Sequence, residues 1–454
     1  MRIGSKPGPE VFGIPFRGKM IIYAPLKRIA FVANRAMATL VRDLLDGRVP
    51  ALPSPTASVA VELLRKAELL APDPPLTPVQ SPAEFTPTSA TLFLTNRCNL
   101  RCVYCYAYGG TLSPVDMPSS LALQAIDVVS RNAVKRCVPG FEVGFHGGGE
   151  PTLNWDVLTA AVSHARRQPL RGFVSMSSNG CYSAGKLSYI LDNFDGLSLS
   201  FDGPPEVQNA QRPRATGTSS FRAVMKTIAE FDKRSFPYGL RVTAGRSTLD
   251  KLPDIVRFLA RHTGAKRVQI EPVFRRGRGR PVAITAGHAR AFVRGFCAAL
   301  DVAAAHGLDL SYSGARPDLL TTRFCLSTCE ALVVLQTGEV STCFEVHNVR
   351  HPLARHFLVG RLQDGQIELD RRRWLRIANR TGDRIRFCSD CFCKFHCAGD
   401  CLGKTYCAGG VDRFRPSPRC VINQELTKHL LVRKMAQHHG MWLGQTSARI
   451  GDKP

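Results

Sequence analysis

Acidic residues are scarce in this 454-residue chain: 36 Asp and Glu stand against 61 Lys and Arg, a formal net charge of +25. Long apolar runs are missing as well. No stretch of eighteen consecutive apolar residues occurs, so no membrane-spanning helix is expected. Met1 to Gly18 carry Pro, Glu and Lys where a secretory signal needs an apolar core, and a cytoplasmic protein without a membrane partner is the expectation. Aromatic residues make up only 8%, and they are sparse in the Arg-rich stretches, which lack the stacking platforms of a single-strand binder; nucleic acid is not the expected partner. Lys is scarce too, at 15 of the 61 cations. An Arg bias beside abundant Ala can reflect genome composition, so the charge alone leaves an anionic partner open. What is present is ordinary for a folded protein, with 44% apolar and 21% charged residues.

Sixteen cysteines are abundant by contrast. In a reducing compartment they are not expected to pair as disulfides, and a chain of this length needs no covalent staples to fold. Metal or redox chemistry is therefore the leading account of them.

Residues 20 to 85 read as a small unit with two apolar runs, Met20 to Pro25 and Ile29 to Ala33. A helix follows from Asn34 to Leu45, with Asn34 as N-cap and Gly47 as stop, then a second from about Ser58 to Leu70. Strand, strand, helix, helix is a winged-helix-like order. A Pro-rich connector, Ala71 to Pro87, closes it. From 88 to about 310, short β-rich runs alternate with amphipathic helices. The strands are expected at Thr91–Thr95, Phe141–His146, Gly172–Ser177, Leu197–Phe201, Tyr238–Thr243 and Val268–Val273, with helices such as Ser119–Lys135, Trp155–Arg167 and Phe221–Lys233 between them. Six β/α units imply an α/β fold with a parallel sheet curved into a partial (β/α)6 barrel, its chemistry at the carboxyl ends of the strands.

Directly after the first of these strands comes Cys98-Asn-Leu-Arg-Cys102-Val-Tyr-Cys105. Three thiolates within eight residues can wrap one face of a cubane cluster, and soft sulfur selects iron-sulfur or zinc. A closed structural zinc site needs four ligands, and no fourth is near. Three ligands leave one iron open to a substrate.

With this loop the sequence resembles the radical S-adenosylmethionine superfamily, and the resemblance runs along the whole barrel. It implies that Cys98, Cys102 and Cys105 hold a catalytic [4Fe-4S] cluster and that Tyr104 contacts the adenine. Gly148-Gly149-Glu150-Pro151 would receive the methionyl amino group, a role that suits a carboxylate flanked by glycines. Ser177, Ser178 and Asn179 correspond to a ribose-contacting stretch, and Ser198-Leu-Ser-Phe-Asp202-Gly203-Pro204 ends the fourth strand. Arg212 stands where many relatives bind the methionyl carboxylate, although Gln208-Asn209 replaces their His-Asp.

Beyond residue 320 the cysteines become dense. Cys325, Cys329 and Cys343 are followed by Cys388, Cys391, Cys397, Cys401 and Cys420. Taken by spacing, these also suit a pair of four-cysteine zinc ribbons. The pattern resembles a twitch-containing SPASM extension with two auxiliary [4Fe-4S] clusters. Its interleaved ligation would give Cys325, Cys329, Cys343 and Cys401 to one cluster and Cys388, Cys391, Cys397 and Cys420 to the other. Cys393 or Cys407 could replace Cys401 or Cys420, while Cys137 and Cys297 read as small core residues and Cys181 has no assigned role.

The domain reading is 1–87 for the N-terminal unit and linker, 88–315 for the barrel, 316–425 for the cysteine-rich iron-sulfur domain, and 426–454 for a C-terminal helix and tail. The resemblance implies cleavage of S-adenosylmethionine to methionine and a hydrogen-abstracting 5′-deoxyadenosyl radical, with electrons from a flavodoxin or ferredoxin. The N-terminal unit resembles the peptide-recognition element of maturases of ribosomally made peptides, so the expected substrate is a peptide or protein. Basic stretches, Arg275, Arg276, Arg278 and Arg280 and ten arginines within 350–386, would suit an acidic one. Sulfatase-maturating relatives place an Asp base directly after the third ligand of the first auxiliary cluster. Here Phe344 and Glu345 follow Cys343, leaving Glu345 or His347 as substitutes. Small-molecule and folded-protein substrates, and a non-catalytic zinc- or nucleic-acid-binding protein, are the competing readings.

Overall fold

A computed structural model describes residues 2–4, 8–48, 55–76, 84–325, 327, 331–409 and 417–444. The N-terminal segment builds β1 (Arg2–Ile3), β2 (Val11–Phe16), β3 (Lys19–Ala24) and β4 (Ile29–Ala33), then α1 (Arg35–Leu45) and α2 (Pro55–Lys66). Arg17 and Gly18, both at positive φ, form the two-residue turn that lets β2 fold back on β3. Asn34 caps α1 by accepting from the Met37 amide at 2.8 Å.

The barrel segment contributes β5 (Ser89–Leu92), α3 (Ser119–Lys135), β6 (Gly140–Phe145), α4 (Trp155–Arg166), β7 (Arg171–Ser178), α5 (Ala184–Asn193), β8 (Gly196–Ser200), α6 (Pro205–Gln211), α7 (Ser220–Lys233), β9 (Tyr238–Ala244), α8 (Leu252–His262), β10 (Arg267–Pro272), α9 (Ala286–Ala305) and β11 (Asp309–Ser311). There follow β12 (Leu332–Val334), β13 (Glu339–Ser341), α10 (Ala354–Phe357), β14 (Leu358–Gln363), β15 (Gln366–Leu369) and α11 (Arg371–Ala378). The chain ends in α12 (Lys394–Cys397), α13 (Leu402–Gly409), α14 (Pro418–Gln437) and β16 (Met441–Leu443).

The large sheet has the order β11-β10-β9-β8-β7-β6-β5-β12-β13-β14-β15. Its strands run parallel from β11 to β12 and antiparallel beyond. The six expected strands and their helices are all present, consistent with a partial barrel. A parallel sheet covered on both faces reads as continuous apolar runs, whereas these strands alternate. Val143 and Phe145, Val174 and Met176, Leu197 and Leu199, Leu240 and Val242, and Val268 and Ile270 are buried. The intervening Gly144, Ser175, Ser177, Gly196, Ser198 and Gly239 line a cavity of about 900 Å³. One face of the sheet is thus kept for something other than helix packing.

The compact units differ from the boundaries expected above. Residues 81–313 and 325–379 form one unit; 1–80, 314–324 and 380–454 form the other. The cause is backbone pairing. β12 continues the barrel sheet from β5, and β16 completes the order β1-β2-β3-β4-β16 in the small antiparallel sheet. The small sheet therefore has five strands, where the sequence suggested two. One face packs Ile22, Phe31, Val41 and Leu64 with α1 and α2; the other packs Ile14, Ile21 and Tyr23 against Leu431 and Met435 of α14 and Trp442 of β16. Residues 77–83 of the Pro-rich connector lie outside the described residues. Among those described, no helix is long and apolar enough to cross a membrane. Trp442, 3% exposed, anchors the second face, so Trp442→Ala is expected to destabilise the small unit by about 3–5 kcal/mol. Denaturant unfolding with Trp and far-ultraviolet probes measures this, and an unchanged midpoint would contradict the packing.

Candidate active site

The three-cysteine loop leaves β5 with no regular structure, and neighbouring segments satisfy its backbone. The amides of Arg101 and Val103 donate to the carbonyls of Pro213 (2.7 Å) and Gln211 (2.9 Å), and the Glu150 amide donates to Arg97 O (2.8 Å). Arg278 binds the loop twice, through its amide to Cys105 O at 3.0 Å and its Nε to Cys102 O at 2.9 Å. These segments follow β6, β8 and β10, at the strand ends where the sequence placed the chemistry. Amides of Leu100 and Gly109 point at the sulfurs of Cys98 (3.5 Å) and Cys105 (3.3 Å), and Asn179 Nδ2 at Cys98 Sγ (3.9 Å). Donors aimed at sulfur are what cluster-bound thiolates accept. Burial pushes the Cys98 thiol up to about 12 and Cys102 to about 11, so their thiolate forms call for the positive charge that ligated iron would bring. The donor set fits an iron-sulfur cluster. Among the described residues, no three His, Cys, Asp or Glu side chains converge tightly enough for one metal ion.

Around this loop stand the other expected residues. Glu150 is 2% exposed. Its carboxylate accepts from Ser178 Oγ (2.7 Å), Thr152 Oγ1 (3.0 Å) and the Asn179 amide (2.9 Å). Burial raises its pKa, and these bonds oppose the rise. Pro151 begins the short turn behind it. Asn179 also donates to Asn99 Oδ1 at 2.7 Å, whereas Ser177 opens onto the cavity. The glycines have a reason beyond ligand approach. A Cβ on Gly149 would lie 2.0 Å from Arg97 O, and one on Gly148 2.9 Å from Thr95 O, so this turn abuts the cysteine loop backbone to backbone.

Arg212 is not a surface residue. It is 6% exposed, and its Nε and Nη2 hold the two carboxylate oxygens of Asp202 at 2.9 and 3.1 Å. Its guanidinium lies 5.1 Å from the centre of the Tyr104 ring, whose hydroxyl also donates to Asp202. The Thr243 amide (2.9 Å) and Gln211 Nε2 (2.9 Å) complete the shell of this fully buried carboxylate. Asp202 is the residue sequence reasoning passed over as a site member; its place at the end of the fourth strand was the available signal. Cys181, also without a role above, is buried beside Glu150 and Arg214, and burial pushes its thiol up to about 12. Cys137 corrects an expectation: it is exposed, at φ 51 just past α3, and not a core residue. Cys297 is half-buried.

The basic cluster after β10 is largely engaged. Arg278 holds the cysteine loop, and Arg276 lies 3.7 Å from Glu345 and 3.5 Å from His351, while Arg275 and Arg280 are exposed. His347 packs its ring on Tyr106 and His351. Burial first, then the Arg276 charge, lowers His351 to about 3.

In the other unit Cys388, Cys391, Cys397 and Cys420 come together: the charge of Cys391 acts on each of the other three. A hydrogen bond from Cys393 lowers Cys391 to about 6. Asn423 Nδ2 reaches Cys397 Sγ at 3.1 Å and Gln424 Nε2 reaches Cys391 Sγ at 3.6 Å. Cys393 is buried, with its sulfur 3.8 Å from Asn423 O. Asp400 and Arg419, each side chain 1% exposed, form a two-oxygen ion pair at 2.8 and 2.9 Å that ties the cysteine turn to α14. Of the remaining expected ligands, Cys325 and Cys343 belong to the barrel unit and Cys401 to this one. Cys329 lies outside the described residues, as does the side chain of Cys407.

Residues 92–259 match the radical SAM superfamily. A probable GTP 3′,8-cyclase of Halobacterium salinarum is 30% identical over 182 residues, 39% of this chain and 48% of that protein. The sporulation killing factor maturation protein SkfB of Bacillus subtilis is 26% identical over 186 residues, 40% of this chain and 42% of that one. The chain spans about half the length of the curated relatives it matches. Among solved structures, native anSMEcpe with bound AdoMet and Cp18Cys peptide superposes with a TM-score of 0.59 at 16% identity, covering 77% of this chain and 99% of that one. That likeness is one of fold. Because the Gly149 turn leaves no space for a side chain, Gly149→Ala is expected to displace the cysteine loop. After anaerobic reconstitution its iron content should fall by about four per chain, one cluster's worth. Full iron content in this variant would contradict the role given to the turn.

Proposed function

Proceeding from a radical SAM domain at residues 92–259, we propose that this protein modifies a peptide, as a maturase of a ribosomally synthesised precursor. The observation that carries this reading is the uncovered sheet face. A cavity of about 900 Å³ reaches from the amino ends of β8 to β10 up to His146, Ser177 and Phe344; Ser177 adjoins Ser178, whose hydroxyl donates to Glu150. That volume lies toward the upper end of small-molecule pockets, enough for several residues of an extended chain. The SkfB relative is named as a maturation protein, and anSMEcpe is seen with a peptide bound.

Cys98, Cys102 and Cys105 would hold the catalytic cluster, and Tyr104, Gly148, Gly149, Glu150, Pro151, Ser177, Ser178, Asn179 and Arg212 would form the S-adenosylmethionine site. Once bound, the two supply a primary carbon radical able to take hydrogen from an unactivated carbon. The chain's own residues position and shield. The spare acceptor capacity of Glu150 suits the methionyl ammonium, and Arg212, with two nitrogens committed to Asp202, keeps Nη1 for the methionyl carboxylate. Tyr104 presents its ring face beside that pair. Cys388, Cys391, Cys397 and Cys420 would carry one auxiliary [4Fe-4S] cluster, and the remaining C-terminal cysteine pattern leads us to expect a second. Four thiolates each leave no open iron for substrate. The GTP 3′,8-cyclase likeness supports a second reading, a small-molecule substrate in the same cavity.

Anaerobic reconstitution should give about twelve irons with matching sulfide per chain; zinc without sulfide would sink the radical reading. Replacing Cys98, Cys102 and Cys105 by Ala should abolish 5′-deoxyadenosine release, whereas continued release would reassign the loop. Coexpression with short precursor peptides encoded beside the gene, read by mass spectrometry, separates the substrate classes. A mass change confined to the peptide and lost in the triple variant supports the maturase reading.

A further inference from the structure

Several arginines around the site are held by protein partners: Arg212 by Asp202, Arg278 by loop carbonyls, Arg276 by Glu345 and His351. Arg241 is different. It lies on β9, a strand paired on both sides, with Ser200 of β8 and Gln269 of β10 as register partners. Its neighbours Leu240 and Val242 are buried against the helices, so its side chain projects from the opposite face, shared with Gly239 below and Thr243 above. Gly239 lines the cavity. Thr243 bonds Asp202 through its amide and lies 3.5 Å from Arg212 Nη2 through Oγ1. Arg241 therefore stands between cavity and cofactor residues, about 7 Å along the strand from Thr243.

Mid-sheet, an exposed side chain can be exposed only to the open interior, and Arg241 is exposed. Among the described residues its side chain has no hydrogen-bond or ion-pair partner. Its charge reaches His146, which burial first and this guanidinium second lower to about 4, and it reaches Tyr106 beside Cys105. The nearby carboxylate of Glu271 already accepts from the Ser313 amide (2.9 Å) and Gln269 Nε2 (3.0 Å). An unpaired guanidinium on the open interior face of the sheet presents a fork of donors that a carboxylate satisfies with two parallel bonds.

We infer that Arg241 is a substrate-binding residue that anchors a carboxylate of the peptide, an Asp or Glu side chain close to the modified position. This rests on the peptide reading above and narrows it. Small walls at Gly144, Ser175, Gly196, Ser198 and Gly239 leave the main chain room to pass, while Arg241 sets its register against the cofactor. The fixed charge also discriminates against a basic residue at that place, since a like charge there would be costly.

The test uses the reconstituted full chain saturated with S-adenosylmethionine and titrated calorimetrically with N-acetyl-glutamate amide, N-acetyl-glutamine amide and inorganic phosphate. The glutamate probe should bind roughly tenfold or more tightly than the glutamine probe, the worth of a charge-assisted bond. Arg241→Gln should erase that preference and Arg241→Lys should keep part of it. Arg241→Glu should shift the preference toward N-acetyl-lysine amide, a gain that misfolding would not produce. An unchanged preference in Arg241→Gln overturns the inference, and so does phosphate displacing the glutamate probe at lower concentration than the probe itself binds, which would point to a phosphorylated small molecule. Release of 5′-deoxyadenosine by the wild-type chain is followed in the same preparation. Its absence counts against the radical reading, while the titration still decides what Arg241 binds.

Discussion

The structure depends on holding an irregular loop still. Residues 96 to 110 bring three sulfurs to one place without a helix or strand to order them, and an unanchored loop of that length would be costly to fix. The anchoring comes from backbone groups. Carbonyls at 211 and 213 take amides from the loop, the loop's Arg97 carbonyl takes the Glu150 amide, and Arg278 takes the carbonyls of Cys102 and Cys105. Each contact comes from a different β/α junction, so the loop is located by the sheet as a whole. The absence of side chains at Gly148 and Gly149 follows, because any Cβ there would push into the loop backbone. Gly277 meets the same limit from the other side, at φ 49 with its Cβ position 2.3 Å from Cys105 O.

Charge burial is the second constraint, and the two buried carboxylates solve it differently. Asp202 is fully enclosed, and its two oxygens are met by a guanidinium, a phenol, an amide side chain and a backbone amide. Removing one partner of such a buried pair typically costs 3–5 kcal/mol, because the other is left uncompensated. Among the described residues Glu150 has no cationic hydrogen-bond partner and relies on neutral donors, so burial wins and its pKa rises. A carboxylate held by donors but no counter-charge favours a cationic ligand, and in the proposed site a methionyl ammonium would be that cation. The two carboxylates therefore divide the work, Asp202 fixing an arginine and a ring in place and Glu150 being left short of a positive partner.

Much of this was legible in the sequence because it is local. Strand and helix periodicity located all six β/α units, with helices Ser119–Lys135 and Trp155–Arg166 ending within a residue of their expected bounds. The spacing of Cys98, Cys102 and Cys105 and the Gly148-Gly149-Glu150 turn likewise depend on neighbours in the chain. What could not be read depends on long-range pairing. β16 joins β4 across some four hundred residues, β12 joins β5 across more than two hundred, and each pairing moves a domain boundary. β2 (VFGIPF) was missed because Gly13 and Pro15 interrupt a strand pattern; Pro15 is tolerated near the strand's end, and the space a Cβ on Gly13 would take is filled by the side chains of Met20 and Ile3. Cys137 was misplaced because a small apolar residue after a helix reads as core unless its backbone turns left-handed.

The excess of arginine takes on another meaning in this light. As a bulk charge it suggested an anionic surface partner. In the fold, Arg97, Arg101, Arg166, Arg278, Arg316 and Arg373 each use the guanidinium to bind a backbone carbonyl, in the cysteine loop for Arg101 and Arg278 and in a short turn or near the end of a strand or short helix for the others. A planar fork with five donors suits that task better than a flexible ammonium, because less freedom is lost for each bond formed. A chain that must order long loops around cysteine-rich turns has a use for many such forks whatever its partners are. Net charge is therefore a poor guide to the ligand here. The informative cations are those for which, among the described residues, the fold supplies no carbonyl and no carboxylate; on the interior face of the barrel sheet Arg267 at the amino end of β10 is one, and Arg241, two residues from Thr243, is the one nearer the cofactor residues.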